Sequence, residues 1–240
     1  MKLDEFSLNL RKKLENININ IKENQIKDFY NYMNLLLEWN EKINLTAITD
    51  PNEIILKHFV DSLTINKYLE SDIKIIDVGT GAGFPGIPLS IVNNNIDMVL
   101  LDSLNKRITF LNDVIEKLEL KNTHTIHSRV EDFGQNKLQR EKYDIATSRA
   151  VAPLNILLEY LLPLVKIGGK CICMKGSSAE EEIKNAKNAI NILGGKIEKI
   201  EEIELPESDI KRTIIIINKV KETPKKYPRK AGTPSKEPII

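Results

Sequence analysis

The decapeptide Asp77-Val-Gly-Thr-Gly-Ala-Gly-Phe-Pro-Gly86 follows directly on the apolar stretch Ile73-Lys-Ile-Ile76 and leads into the helix-compatible Ile87-Pro-Leu-Ser-Ile91. A strand ends where a glycine-rich turn begins, with a helix behind it, and that junction receives nucleotide-bearing cofactors. A side chain in the turn would hold the backbone away from a ligand, and the tight dihedrals exclude most other residues. The spacing Gly81-x-Gly83-x-x-Gly86 satisfies the dinucleotide fingerprint, a match that any glycine-rich strand-to-helix turn can produce. An acid at the end of the next apolar run, Met98-Val-Leu-Leu-Asp102, stands where a carboxylate accepts hydrogen bonds from ribose hydroxyls. This much fits NAD and S-adenosylmethionine equally. Asp77 separates them, because an acid at the tip of the first strand suits the cationic methionine end of S-adenosylmethionine and repels a pyrophosphate. The competing reading is a structural glycine turn with no cofactor.

Working outward, strands and helices alternate after residue 72. Ile73 to Val78, Met98 to Asp102, Thr123 to His127, Asp144 to Ser148 and Lys170 to Met174 read as strands with helical or loop segments between them. That alternation predicts an α/β doubly wound, Rossmann-like sheet. Two further strands, Lys196 to Leu205 and Arg212 to Val220, are separated by only Pro206-Glu-Ser-Asp-Ile-Lys211, too short for a parallel crossover. Seven strands ending in an antiparallel hairpin is the arrangement of class I S-adenosylmethionine-dependent methyltransferases. Before this region, residues 1–70 are helical in pattern. Ile26, Phe29, Tyr30, Met33, Leu36 and Leu37 recur at three-and-four spacing toward Trp39, and a second helical pattern runs from Pro51 to Leu69. The aromatics of the first helix fall on the face that must be buried, so they read as core. His58 lies three residues before Asp61, within reach of an orienting contact, and reads as structural.

The 240 residues, 41% hydrophobic, suffice for one sizeable core. No apolar segment long enough for a membrane span or a secretory signal is present, and a cytoplasmic location is expected. Cys171 and Cys173 alternate within one strand-like run and read as buried small hydrophobes. The net charge of +1 hides an asymmetry. Lys219 to Lys236 holds seven basic residues against Glu222, which leaves the other 222 residues at −5 (28 minus 33). Pro224, Pro228, Pro234 and Pro238 disfavour regular structure there, which predicts an extended basic arm over residues 221–240, able to follow a phosphate backbone, behind a catalytic domain spanning 71–220. A solvated tail without a partner is the alternative.

Taken together, the decapeptide with its Ile-Pro-Leu continuation, Leu101-Asp-Ser-Leu-Asn-Lys-Arg107, Ser128-Arg-Val-Glu-Asp132, Ser148-Arg-Ala150, Trp39-Asn-Glu-Lys-Ile-Asn-Leu-Thr46, His58-Phe-Val-Asp-Ser62 and Tyr227-Pro-Arg-Lys-Ala-Gly-Thr-Pro234 are in the order and spacing of one family. Over nearly its whole length the chain resembles the ribosomal small-subunit guanine-N7 methyltransferases, also called glucose-inhibited division protein B. The resemblance implies methylation of N7 of one guanine in the decoding-region loop of 16S rRNA, in free rRNA or the small ribosomal subunit, with S-adenosylmethionine as cofactor. It also implies cofactor contacts from Gly79 and Phe84 in the first loop, from Val130 and Glu131 beside the adenine, and from Arg149 after the fourth strand, alongside Asp77, Gly81 and Asp102.

Guanine N7 carries an in-plane lone pair and no proton, so transfer to it needs no general base, and positioning can supply most of the effect. In keeping with this, no Asp/Asn-Pro-Pro-aromatic motif follows the fourth strand and no Pro-Cys nucleophile is present. Arg149 stands in that place, as a positioning group at most. Lys175 with Gly176, and Arg229 and Lys230 of the tail, are the candidates for RNA contact. No metal-ligand cluster and no signal for an obligate protein partner is apparent. A methyltransferase acting on a small molecule or a protein would not need the basic arm, one acting on another RNA is the nearer alternative, and a binding protein that had lost catalysis would not need Asp77, Gly79, Gly81, Gly83 and Asp102 intact.

Overall fold

The computed structural model describes residues 1–176 and 178–240. Its centre is a seven-stranded sheet formed by β1 (Lys74–Val78), β2 (Asp97–Asp102), β3 (Thr123–His127), β4 (Tyr143–Arg149), β5 (Val165–Lys175), β6 (Gly195–Glu204) and β7 (Lys211–Lys219). The spatial order is β3-β2-β1-β4-β5-β7-β6, with the first five strands parallel and β7 antiparallel to both neighbours. The order reverses between β1 and β4, and ligands of open α/β sheets bind in the crevice beyond the carboxyl ends of the strands at such a point. The seven expected strands all form, each within a few residues of its sequence-predicted limits except β5, which starts earlier.

Both faces of the sheet are covered, as its near-continuous apolar strands require. Alternate residues divide between two cores. Ile75, Met98, Leu100, Ile145, Ile172 and Ile214 face α1 (Leu3–Glu15), α2 (Glu23–Ile43), α5 (Gly86–Val92) and α6 (Asn105–Lys117). Ile76, Val99, Leu101, Ala146, Cys171, Cys173 and Ile215 face α8 (Leu154–Leu161) and α9 (Ala179–Leu193). The two cysteines share the second core, and burial pushes the Cys173 thiol up to about 12, so they behave as apolar groups. In α2 the buried stripe is Ile26, Phe29, Tyr32, Met33 and Leu36, whereas Tyr30 and Leu37 lie at its margin. The expected second helix runs from α3 (Pro51–Ile54) through a π segment, Ile55–Val60, into α4 (Asp61–Leu63), and gives way to a 3₁₀ turn at Asn66–Tyr68. Such π segments are rare and recur at functional sites. No helix among the described residues is long and apolar enough to cross a membrane.

Residues 221–240 are not a free extended arm. They fold back across α7 (Val130–Gln135) and α8 and end in a short helix, α10 (Thr233–Lys236). Thr223, Tyr227, Pro234 and Ile239 are buried, and Ile239 and Tyr227 join the second core. The prolines remove backbone donors, as anticipated, but polar side chains of the domain take up the freed carbonyls instead of solvent. Arg140 donates to Thr223 O (2.7 Å) and Tyr227 O (2.7 Å), Gln135 to Pro228 O (2.5 Å), and Asn155 to Ile239 O (3.1 Å).

Candidate active site

The glycine turn is built around two carboxylates. Asp77, fully buried, accepts Thr80 Oγ1 (2.6 Å) and the Gly86 amide (2.9 Å) through Oδ2, tying the strand tip to the start of α5. Its Oδ1 is buried without a partner. Burial pushes this carboxyl up from 3.8 to about 6 even though the Thr80 and Gly86 hydrogen bonds and the Arg149 charge pull it down. Asp102 accepts the Gly81 amide (3.0 Å) and Arg107 (3.2 Å) through Oδ2 and the Leu104 amide (2.9 Å) through Oδ1. Gly79 has φ +67°, and a Cβ there would stand 2.6 Å from Val151 Cγ2. A Cβ on Gly81, by contrast, would project into open space, with only Gly79 O as near as 4.0 Å.

Beside the turn, at the sheet's topological reversal, lies a cleft of about 410 Å³. Gly79, Asp102, Val130 and Glu131, four of the residues singled out from sequence, line it together with Arg107, Val151, Tyr160, Gly232 and Ser235. The donor set suits S-adenosylmethionine. Asp77 lies under the turn with one oxygen unpartnered, the Gly81 backbone leaves room for a ligand, and Asp102 lines the cleft at the end of β2 with the one-third-exposed Arg107 on it. Of the expected cofactor set, Asp77, Gly81, Phe84 and Arg149 are not among the residues that line this cleft. Phe84 is buried behind the turn, stacked on His58 (centroids 4.4 Å apart, 16° between planes) with the Arg149 guanidinium 5.0 Å from its ring centre. Arg149 is drawn to the other side by a buried counter-ion 88 residues earlier, Asp61.

The Arg149 side opens on a second cleft, of about 650 Å³, which shares Ala150 and Val151 with the first. Arg149 donates to Asp61 Oδ2 (3.1 Å), Lys57 O (2.9 Å) and His58 Nδ1 (3.2 Å). Asp61, 2% exposed, also receives Arg212 Nε at 3.1 and 3.2 Å. A guanidinium can only donate, so His58 Nδ1 is the acceptor and its Nε2 carries the hydrogen toward Thr46 Oγ1 (2.9 Å). Burial, then the Arg149 charge, lowers this imidazole to about 3, so it is neutral at physiological pH. Among the ionisable lining residues, Lys57, Arg149, Lys175 and Arg212 against Asp61 and Glu182 give a net +2 (4 minus 2).

Of the three residues expected to contact RNA, Lys175 and Arg229 are engaged within the fold. Lys175 is buried, donating to Ala152 O (2.5 Å) and paired with Glu182 (2.7 Å), so it holds the rim of the second cleft. Arg229 is clamped on Glu159 inside the fold, whereas Lys230 is exposed. Arg212, Asp61, Tyr160 and Ser235 line the two clefts without being among the expected site residues. Asp61 carried a signal in its spacing from His58, but its partners proved to be guanidiniums from β4 and β7.

The family model for GidB, described as rRNA small subunit methyltransferase G, matches residues 25–214. The ribosomal RNA small subunit methyltransferase G of Acetivibrio thermocellus is 54% identical over 242 residues, covering 99% of this chain and 100% of its own length. That of Alkaliphilus metalliredigens is 52% identical over 227 residues, covering 94% and 95%. Among solved structures, a SAM-dependent methyltransferase from Aquifex aeolicus superposes with a TM-score of 0.54 over 70% of this chain and 94% of its own at 17% identity, a likeness of fold. The sheet order, the cleft at its reversal and full-length identity above one half agree, and the chain belongs to the GidB family of small-subunit rRNA methyltransferases.

Proposed function

We propose that the protein transfers a methyl group from S-adenosylmethionine to N7 of a guanine in the decoding-region loop of 16S rRNA, with the cofactor in the first cleft and the target nucleotide in the second. Bound S-adenosylmethionine supplies an electrophilic methyl group on its sulfonium. Gly79 and Gly81 let the backbone lie against the cofactor, Asp77 offers its free oxygen to the methionine ammonium, and Asp102 holds the ribose end. Val130 and Glu131 flank the adenine. Arg149, braced over Phe84, stiffens the wall at Ala150–Val151 where the clefts adjoin. Arg212 at the second cleft and the exposed tail lysines Lys221, Lys225, Lys226, Lys230 and Lys236 carry the phosphate attraction.

The observation that supports this reading best is that each ionisable group lining the second cleft is already engaged. Lys57 pairs with Glu53 (2.6 Å), Lys175 with Glu182, both guanidiniums with Asp61, and His58 has a partner on each ring nitrogen. A reaction that must remove a proton from its acceptor needs a group left over, and N7 has no proton to remove. Orientation of the nucleotide is what such a cleft provides.

The test is transfer of radiolabelled methyl from S-adenosylmethionine to small ribosomal subunits lacking modification, and to free 16S rRNA, with the product mapped by N7-specific chain cleavage. Label at one guanine N7 is the expected result. Label on an exocyclic amine or a ribose, or transfer only to protein, would overturn the assignment.

A further inference from the structure

The C-terminal segment approaches the first cleft through successive fixed points. Arg229 grips Glu159, 1% exposed, with its backbone N–H (2.8 Å), Nε (2.9 Å) and a terminal nitrogen (2.7 Å). Three residues on, the Gly232 amide donates to Glu131 Oε1 (3.0 Å), and α10 then brings Ser235 Oγ to 3.3 Å from the Tyr160 hydroxyl. Gly232, Ser235, Tyr160 and Glu131 all line the cleft that Gly79, Asp102 and Val130 line from the sheet side.

We propose that residues 229–236 are the outer wall of the cofactor site, and that the Tyr160–Ser235 hydroxyl pair with the Gly232–Glu131 contact recognise the adenosyl group. The inference rests on the cofactor assignment above. A ligand that touches both walls binds the docked segment better than the released one, so docking strengthens binding by the factor by which binding strengthens docking. Release is opposed by Glu159, because undocking Arg229 strands a carboxylate inside the protein. The basic tail therefore belongs to the cofactor site as well as to the RNA-facing surface.

The experiment uses the full-length protein and S-adenosylhomocysteine as probe. Trypsin cleavage after Lys230 is followed by mass spectrometry with and without the probe, and the probe's affinity is measured calorimetrically for the parent, for Glu159→Gln with Arg229→Gln, and for Tyr160→Phe with Ser235→Ala. The first double variant opens the latch without changing a cleft-lining residue. The second alters two hydroxyls and keeps the fold. Saturating probe should slow cleavage about ten-fold, and both double variants should lose about ten-fold in affinity. Binding to the parent with an unchanged cleavage rate and undiminished affinity in both variants would overturn the proposal alone, whereas no binding to the parent would overturn it together with the cofactor assignment.

Discussion

Asp77→Asn should stabilise the protein at neutral pH while weakening cofactor binding. Asp77 is buried with one oxygen doubly hydrogen-bonded and the other bare, and burial holds its carboxyl at about 6 against 3.8 for the ordinary group. A folded-state value above the unfolded one means that between about pH 4 and pH 6 the native chain binds more protons, so this group's contribution falls as pH rises through that window. Above it, the ionised carboxylate costs about 3 kcal/mol, from the separation of the two values at 1.36 kcal/mol each. Asparagine can keep an oxygen on Thr80 and Gly86 and removes the charge, but leaves an amide N–H₂ where Oδ1 lacked a partner, at about 1–2 kcal/mol. The net expectation at pH 7 is a gain of about 1–2 kcal/mol, or roughly 2–8 °C in midpoint for a chain of this size. At pH 4 the gain should vanish or reverse. Urea titrations of parent and variant at pH 4 and pH 7, with the slope unchanged, read this directly. Calorimetry with S-adenosylhomocysteine should show at least a ten-fold loss of affinity in the variant, about 1.4 kcal/mol. A variant less stable than the parent at pH 7, or a parent–variant difference that does not change from pH 4 to pH 7, would refute the reasoning.

Three further outcomes are expected. Gly79→Ala should lose cofactor affinity by more than ten-fold, because its Cβ would lie 2.6 Å from Val151 at φ +67°, and Val151→Ala added to it should restore only part, since the backbone strain remains; unaltered calorimetric affinity would show the turn is not the docking surface. Asp61→Ala should destabilise by about 3 kcal/mol by stranding Arg149 and Arg212, and replacing all three by apolar residues should recover most of it; a loss below about 1 kcal/mol in chemical denaturation would mean the guanidiniums find other partners. The His58 ring, held at about 3, should show constant NMR shifts from pH 8 to pH 5. Its folded value lies below the unfolded 6.5, so its contribution to stability is complete above that pH and lost on acidification, and a ring titrating near 6.5 would contradict the Arg149–His58–Thr46 chain.

The sheet was legible because its strands are apolar runs cut by turn residues, and because Pro206–Lys211 is too short for anything but a hairpin. The glycine turn and its two acids were legible from spacing, since their partners are near in sequence: Thr80 and Gly86 for Asp77, Leu104 and Arg107 for Asp102. What escaped were long-range polar pairings. Arg149 and Asp61 are 88 residues apart, Arg212 and Asp61 151, Arg229 and Glu159 70, and Gly232 and Glu131 101. A proline-rich stretch of lysines reads as solvated by composition, and only the buried Glu159 and the Arg140 donors, silent in a local reading, turn it into a docked segment. Tyr32 was passed over for Tyr30 for a related reason: either fits an apolar stripe, and packing against Phe59 and Phe84 decides for Tyr32.

A guanidinium at the end of β4 is at first sight ill-suited to the proposed reaction, since methylated guanine gains positive charge. The network around Arg149 removes the difficulty. Three of its N–H donors point inward, to Lys57 O, Asp61 and His58, and the face of Phe84 covers its plane. Asp61 sets its carboxylate 3.1 Å from it. The charge still unbalanced after that pairing resides on Arg212, the more exposed of the two arginines, at 24% of its side chain against 15%. The field at the reacting base is thereby softened, while the excess cation lies where a phosphate can reach it. On the proposed function, Arg149 is a brace for the wall between the clefts and Arg212 the RNA contact. Arg212→Gln should accordingly reduce the salt dependence of RNA binding and leave S-adenosylhomocysteine affinity unchanged, whereas Arg149→Gln should lower both stability and methyl transfer.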